Sequence, residues 1–468
     1  MLTTAVLLLL LLLLQMVEAD AAILLHHCIC AASATGQEPQ LVMVGDPKQL
    51  AAVVKSLHAE HKGYSRSLFE RLQQRGSHSP MLLNTQYRCR PEISLWPRQR
   101  FYGGQLQDGP NVLDPSYSAA LLQPLASGKR GSGSSAAAAP TVPDPSYSAM
   151  LLQPLASGSS RSEAAGLPCF KPFEVIDVRG SFEEQGSHDM GSVAGTVSSF
   201  SYSNPMEVDT VMWRLKQLLQ QVVAARAAAA AAGAQPVTVG IITGYTRQVA
   251  AILQQCINLA VDGSRTAASS NSGSSSSNTG SSSSSSSSSK DGGGSVTIGP
   301  LLVDVRSVNS FQGQERDVII FSAVRSNDKS GRPAMGFTGE PRRTNVALTR
   351  ARHMLVVVCN ARTVSTDATW AGLLASAEGR GMMRVLDCAD KAAAESPQNA
   401  DCGDLLVKLR GRQQQWQNQH MPASVKWQYN GTGHAWQVSV ICGCGRWVRR
   451  HHWLDQLWRA AWCVKPYV

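Results

Sequence analysis

The 468-residue chain carries 43 Lys and Arg against 33 Asp and Glu, a formal net charge of +10 with a pI near 9.1. That balance favours anionic partners, nucleic acid before a membrane surface, and the 43% hydrophobic content excludes a wholly disordered chain. The eleven cysteines are scattered and odd in number, which argues against a disulfide framework and for a reducing compartment.

The chain opens with an apolar run over 5–14, rich in consecutive leucines and followed by the small residues of EADAA. It has the look of an export-signal core, but no Lys or Arg precedes it, and it is too short to span a bilayer as a helix. A buried strand or helix is the expectation for residues 1–39, as an apolar leader or the remnant of a preceding domain. QLVMVGD (40–46) and MLLNTQY (81–87) are short apolar runs ending in polar residues, the pattern of buried strands in a parallel sheet. An interruption follows. DPSYSAALLQPLASG at 114–128 returns as DPSYSAMLLQPLASG at 144–158, with Met150 in place of Ala120. Two copies are too few for a solenoid core, so a surface-loop insertion over 105–170 is expected.

FEVIDVRG (173–180), PVTVGIITG (236–244), LLVDVRSV (301–308), DVIIFSAV (317–324) and MLVVVCN (354–360) repeat the strand pattern. Asn204 and Pro205 supply an N-cap and a first-position proline, and Val208, Val211, Leu215, Leu218, Leu219 and Val222 keep helical spacing up to Gly233. TRQVAAILQQCINLAV (246–261) is a second amphipathic helix. Residues 263–299, dominated by serine, cannot bury enough apolar area to offset the entropy of ordering, and disorder is expected there. Strands alternating with helices predict an α/β fold with a mostly parallel sheet, whose ligands lie beyond the strands' carboxyl ends.

The polar stretches beside these strands are GDPKQL after Val44, NTQYRCRP after Leu83, TGYTRQ after Ile242, NSFQGQERD after Val308 and NVALTRARH before Met354. Arg350 and Arg352 stand directly before an apolar strand, as a charged collar for the helix or as the receiver of an anion. Each stretch alone reads as a turn or a solvated rim charge. Taken together, in this order, they resemble superfamily 1 helicases of the group containing the nonsense-mediated-decay helicase and senataxin, over roughly residues 40–104, 172–262 and 300–378. LVMVGDPKQL resembles motif III, and SRSLFERL with LNTQYRCRPEIS and FYGGQL resembles the opening of the second motor domain. NPMEV resembles the Asn-x-x-Glu element before motif IV, and VGIITGYTRQV motif IV. VNSFQGQERDVIIFSAVRSN and RRTNVALTRARHMLVVV resemble motifs V and VI. Cys89-Arg90 replaces the Met-His of the family's Gln-Tyr-Arg-Met-His-Pro element.

The resemblance implies a RecA-like parallel sheet flanked by helices, of the P-loop NTPase helicase class. It places the end of a first motor domain at 40–80 and a second at 81–378, leaving 379–468 as a tail. It implies that Tyr87 stacks on adenine, that Arg88 reaches the γ-phosphate and that Gln49 senses that phosphate. Gly313 and Glu315 would position phosphate and attacking water, and Arg350 would be the arginine finger, with Arg352 structural. Thr243 and Ser307 would touch the nucleic-acid backbone. ATP and Mg²⁺ are the implied cofactors. The implied setting is RNA or DNA held through its backbone with 5′ to 3′ polarity, RNA-processing partners, a monomer, no membrane, and the nucleus or cytoplasm.

Two family elements are not found in the sequence. The only Gly-Lys pair, Gly128-Lys129, is followed by Arg130 rather than Ser or Thr, and no Asp-Glu dipeptide occurs. No Mg²⁺ ligand is therefore assigned, and no other metal site is expected. Two readings stay open: the C-terminal motor part of an ATP-dependent helicase, inactive by itself, or a catalytically dead RecA-like module that binds nucleic acid or a partner helicase. A secreted binding protein rests on the leucine run alone. In the tail, Trp416, Trp427, Trp436, Trp447, Trp453, Trp458 and Trp462 are interleaved with Arg446, Arg449 and Arg450. Such a pattern can stack bases, but an ordinary extension is the preferred reading. Cys442-x-Cys444 is too tight for the usual zinc knuckle.

Overall fold

A computed structural model describes residues 7–9, 16–35, 41–52, 54, 56–76, 80–114, 116–117, 171–187, 200–228, 235–269, 293–329, 332–387, 399, 401–420, 425–429, 436–441 and 447–449. The chain divides into two compact units, Met1–Val178 with Phe182–Val385, and Arg179–Ser181 with Leu386–Val468.

In the first unit the leucine-rich start pairs as a strand. β1 (Leu7–Leu9) lies parallel to β2 (Leu41–Met43), with the Glu18–Thr35 helix between them in sequence. Ala21 of that helix packs with Leu68, Leu72 and Met43, and Glu18 pairs with Arg71 at 2.6 Å. The run 81–87 is only partly a strand. β3 (Thr85–Gln86) makes two residue pairs with β4 (Gln107–Asp108), while Met81 and Leu83 stay exposed.

The core is a seven-stranded sheet. Its strands are β5 (Phe173–Arg179), β8 (Val237–Thr243), β9 (Gly294–Ile298), β10 (Leu301–Ser307), β11 (Arg316–Ser322), β12 (Ala351–Cys359) and β13 (Met383–Asp387), in the order β13-β5-β12-β11-β8-β10-β9. β5, β12, β11, β8 and β10 run parallel, and β9 closes one edge antiparallel to β10. β12 shows why: every residue but Arg352 is buried, and a strand covered on both faces needs an unbroken apolar run. A short antiparallel pair, β6 (Glu184–Ser187) and β7 (Phe200–Ser203), leads into the Pro205–Ala228 helix. Asn204 caps that helix as its sequence requires, its Oδ1 accepting from Glu207 N at 3.1 Å.

The Ser-rich stretch is corrected at both ends. The Thr246–Ser269 helix runs past residue 263, and β9 begins at Gly294 because Gly294, Val296 and Ile298 sit in register with Val305, Val303 and Leu301. The serines between lie outside the described residues, as does most of the repeat. Within the 105–170 segment, β4 and the Pro110–Leu113 turn of helix belong to the packed unit.

The link from β10 to β11, residues 308–315, crosses back over the sheet face instead of continuing at its carboxyl end. Gly240 in β8 permits this: a Cβ there would sit 2.6 Å from the Phe311 ring. Phe311 is itself fully buried in the main core with Leu50, Ile93, Trp96, Phe321 and Trp370.

The second unit contains the Gly403–His420 helix and an antiparallel sheet of β14 (Val425–Tyr429), β15 (Trp436–Ile441) and β16 (Trp447–Arg449). Trp453, Trp458 and Trp462, like Cys442 and Cys444, lie outside the described residues. Among the described residues no helix is long and apolar enough to cross a membrane.

Candidate nucleotide site

The predicted residues converge at the amino ends of β11 and β12, where Arg316 N donates to Arg350 O at 3.1 Å, and not at the carboxyl ends expected for such a sheet. The back-crossing link is the reason. It carries Gly313 and Glu315 down the sheet to the start of β11, beside the end of the Pro341–Leu348 helix.

Gln86 shapes the first wall. Its Oε1 accepts from Arg88 N (2.9 Å) and Cys89 N (2.8 Å), and its Nε2 donates to Cys89 O (2.7 Å) and Asp108 Oδ1 (2.5 Å). The tight loop this makes sends consecutive side chains opposite ways. Tyr87 faces solvent at 61% exposure, its ring passing over Gly109, where a Cβ would stand 2.4 Å from ring carbon Cδ1. Arg88 turns inward, donating Nε to Glu315 Oε2 (2.6 Å) and Nη1 to the Thr349 carbonyl (3.0 Å). Cys89 is buried against the Thr349 carbonyl, and its burial pushes the thiol up to about 12. Arg90 caps the Pro91–Tyr102 helix, its backbone N–H donating to Arg352 O at 3.0 Å. The substituted Cys-Arg pair thus fills a packed seat and a cap.

Arg350 is 2% exposed. Its Nε donates to Val346 O (3.0 Å), and its Nη2 reaches Gln49 Oε1 and Thr349 Oγ1, both at 3.3 Å. All three acceptors are neutral. Burial pulls its pKa down to about 10, and the neighbouring charge of Arg88 adds to the shift. A buried cation with no bonded carboxylate, beside a second cation held on the same threonine, is short of negative charge. Arg352 pairs through Nε with Glu315 Oε1 at 3.0 Å and a second time through Nη2. Partial burial pushes the Glu315 carboxyl up, but the hydrogen bonds from Arg352 and Arg88 outweigh it and leave it below the usual range.

The Gln49 loop is tied on from the other side. Gln49 Nε2 donates to Asp46 Oδ2 (2.8 Å), Tyr102 donates its hydroxyl to the same oxygen (2.5 Å), and Asn345 Nδ2 donates to Lys48 O (2.9 Å) and to Tyr102 Oη (3.0 Å). Burial, then the Asp46 charge, pushes the Tyr102 phenol far up. Gly313 has φ +76°, a left-handed turn that favours glycine, with open space where a Cβ would be. Thr243 and Ser307 are register partners at the carboxyl ends of β8 and β10, away from the cluster. Thr243 is fully buried with an unpartnered hydroxyl, and Ser307 shares its hydroxyl with Ser310 at 3.0 Å.

The structure therefore brings Gln49, Arg88, Glu315 and Arg350 into one cluster, with Tyr87 and Gly313 beside it and Thr243 and Ser307 elsewhere. Sequence reading passed over Gln86, Gly109, Tyr102, Asn345 and Thr349. All but Gly109 lie inside or next to the motif stretches, as polar residues without charge. Among the described residues no group of three His, Cys, Asp or Glu side chains is placed to hold a metal ion. The cluster's donors suit phosphate oxygens, and the exposed Tyr87 ring suits a base.

A family model described as AAA domain matches residues 64–362, well over half of the chain. The chain is 26% identical over 378 residues to helicase sen1 of Schizosaccharomyces pombe, covering 81% of this chain and 16% of that protein. A regulator of nonsense transcripts 1 homolog of Arabidopsis thaliana is 28% identical over 335 residues, 72% of this chain and 19% of the relative. ATP-dependent helicase NAM7 of Saccharomyces cerevisiae is 27% identical over 345 residues, 74% of this chain and 25% of the relative. The chain thus spans a quarter or less of the length of each of these three. With that match and these relatives, the chain belongs to the AAA-domain family, as a superfamily 1 helicase domain of the nonsense-mediated-decay helicase and senataxin group.

Proposed function

We propose that the chain is the C-terminal motor part of an ATP-dependent helicase that couples ATP hydrolysis to translocation on, or unwinding of, RNA or DNA. The observation that carries this is Arg350: a guanidinium 2% exposed, with only neutral acceptors, next to Arg88. A γ-phosphate would supply the negative charge that Arg350 lacks, within reach of Arg88, which Glu315 already pairs. Phosphoryl transfer spreads negative charge over the γ-oxygens, so its catalysis is largely positioning and electrostatic stabilisation. An arginine finger contributes about 10³–10⁵ in rate in related systems. Only a planar, permanently charged fork supplies that contact, and lysine replaces it poorly.

In this reading Tyr87 stacks on the adenine and Arg88 and Arg350 close on the terminal phosphate. Glu315, with both oxygens engaged by Arg88 and Arg352, orients those two guanidiniums. Gln49 covers Arg350 until phosphate displaces its carboxamide, which links the motif III loop to nucleotide state. Residues 40–80 belong to the end of a first motor domain and 81–378 to the second. ATP binds with Mg²⁺, whose ligands are not assigned in this chain. The substrate is bound through its backbone by a monomer, with RNA-processing factors as partners, in the nucleus or cytoplasm.

The test is ATP hydrolysis and strand unwinding, measured for the chain alone and joined to a segment carrying a phosphate-cradling loop and an Asp-Glu-Ala-x element. Hydrolysis by the chain alone is expected to be negligible. The joined form is expected to turn over ATP with nucleic-acid stimulation, and Arg350→Ala to reduce that rate by about 10³ or more. Turnover by the chain alone that Arg350→Ala abolishes would contradict the view that it lacks a complete site. A joined form that binds nucleic acid but stays inactive would favour the dead binding module.

A further inference from the structure

Gly109, Asn111 and Tyr117 bind three successive main-chain carbonyls of the loop that carries Tyr87 and Arg88. Gly109 N donates to Gln86 O at 2.8 Å, Asn111 Nδ2 to Tyr87 O at 2.9 Å, and the Tyr117 hydroxyl to Arg88 O at 2.5 Å. We propose that these residues form a clamp for the nucleotide site, with Asn111 and Tyr117 as positioning residues that fix Tyr87 and Arg88. The proposal rests on the nucleotide reading above and adds residues to it.

The clamp is built locally. Pro110 starts the short Pro110–Leu113 helix after Gly109, and buried Val112 anchors it in the unit. Asp114 then accepts from Ser116 N through Oδ1 (2.7 Å) and from Tyr117 N through its carbonyl (3.0 Å), a turn that brings the tyrosine back. The Tyr117 ring rests on His353 at 4.6 Å between centroids, and its burial raises the phenol to about 12, so its proton stays on the bond to Arg88.

The loop's amides are held on the opposite side, since Gln86 Oε1 takes the N–H groups of Arg88 and Cys89. With carbonyls and amides both engaged, the peptide planes on either side of Tyr87 and Arg88 cannot flip without breaking several bonds. A loop that must present a ring outward and a guanidinium inward gains affinity from such preorganisation. The first copy of the repeat begins at Asp114 and contributes Tyr117.

The test is a fluorescence titration of the full chain with an N-methylanthraniloyl ATP analogue. Because Tyr147 repeats Tyr117 in sequence, all variants carry Tyr147→Phe. Asn111→Ala with Tyr117→Phe is expected to weaken binding roughly fivefold to fiftyfold, the combined effect of two lost hydrogen bonds. In a Tyr87→Ala, Arg88→Ala background the same pair should change nothing further, because the clamp acts through those two side chains. Equal losses in both backgrounds, or none in either, overturns the clamp while leaving the nucleotide reading standing. Where the unmodified chain alone does not bind, the same titration on the form joined to a phosphate-cradling segment decides, and absence of binding there overturns that reading and the clamp with it. Tyr117→Phe alone keeps the ring on His353 and provides the same comparison if the double variant unfolds.

Discussion

Arg350 is where the sequence and the electrostatics of the structure meet. A buried guanidinium normally has a carboxylate, and this one has a glutamine, a threonine hydroxyl and a carbonyl. The charged collar that its position before an apolar strand also suggested fits Arg352, which bonds Glu315 twice and is partly exposed. Tyr87 makes the complementary case, a large ring left outside and aimed by a glycine. Gly109→Ala places a methyl 2.4 Å from that ring and forces it aside. Because Tyr87 is exposed, stability is expected to change by less than about 1 kcal/mol while affinity for an adenine nucleotide falls severalfold. A nucleotide titration beside a urea melt checks this, and an unchanged affinity would remove Tyr87 from the site.

Among the elements, the Pro205–Ala228 helix carries a buried titratable group that the nucleotide site does not use. Glu207 is fully buried. Its Oε2 accepts from Ser322 Oγ (2.6 Å) and Val324 N (2.8 Å), and Asn204 Nδ2 holds Val324 O at 3.1 Å. Together these contacts pin Val324 at φ +70°, a left-handed conformation costly for a β-branched residue. Burial pushes the Glu207 carboxyl up to about 8, partly opposed by its hydrogen bonds and reinforced by Glu183, which itself pairs with Arg325. A native pKa above the unfolded one means that the unfolded chain releases its proton first as pH rises. Stability from this group is therefore full below about 4.5 and declines up to about 8. Glu207→Gln, which keeps the acceptor without the titration, is expected to flatten that decline in urea melts across the same window. An equally steep decline in the variant would contradict the assignment.

The elements also show what was legible. The strands from 173 to 360 and the two long helices followed from apolar runs and spacing, because burial on both faces leaves a plain trace in sequence. β9 was missed because its alternating GSVTI follows a serine tract and pairs at an edge. The site's position at the amino ends was missed because it depends on Gly240 and Phe311 letting a link fold back, a contact between residues far apart in sequence. The charged site residues could be named from motifs. Gln86, Asn111 and Tyr117 could not, since their function lies in which backbone carbonyl or amide they meet.

For the molecule as a whole, the first unit joins the Gln49 loop to the seven-stranded sheet by several polar contacts. Asp46, Lys48 and Gln49 meet Tyr102, Asn345 and Arg350, and Gln312 Nε2 donates to Leu50 O at 3.3 Å. In the proposed function, phosphate entering beside Arg350 would compete with Gln49 for the guanidinium, which would couple nucleotide binding to the seating of that loop. The most direct measurement is the ratio of ATP to ADP affinity, by fluorescence titration, for the unmodified chain and for Arg350→Gln. A guanidinium awaiting the γ-phosphate should give the unmodified chain a preference for ATP of about tenfold, worth ~1.4 kcal/mol, and Arg350→Gln should bring the ratio near one. An ATP preference that survives the substitution undiminished would contradict the role assigned to Arg350.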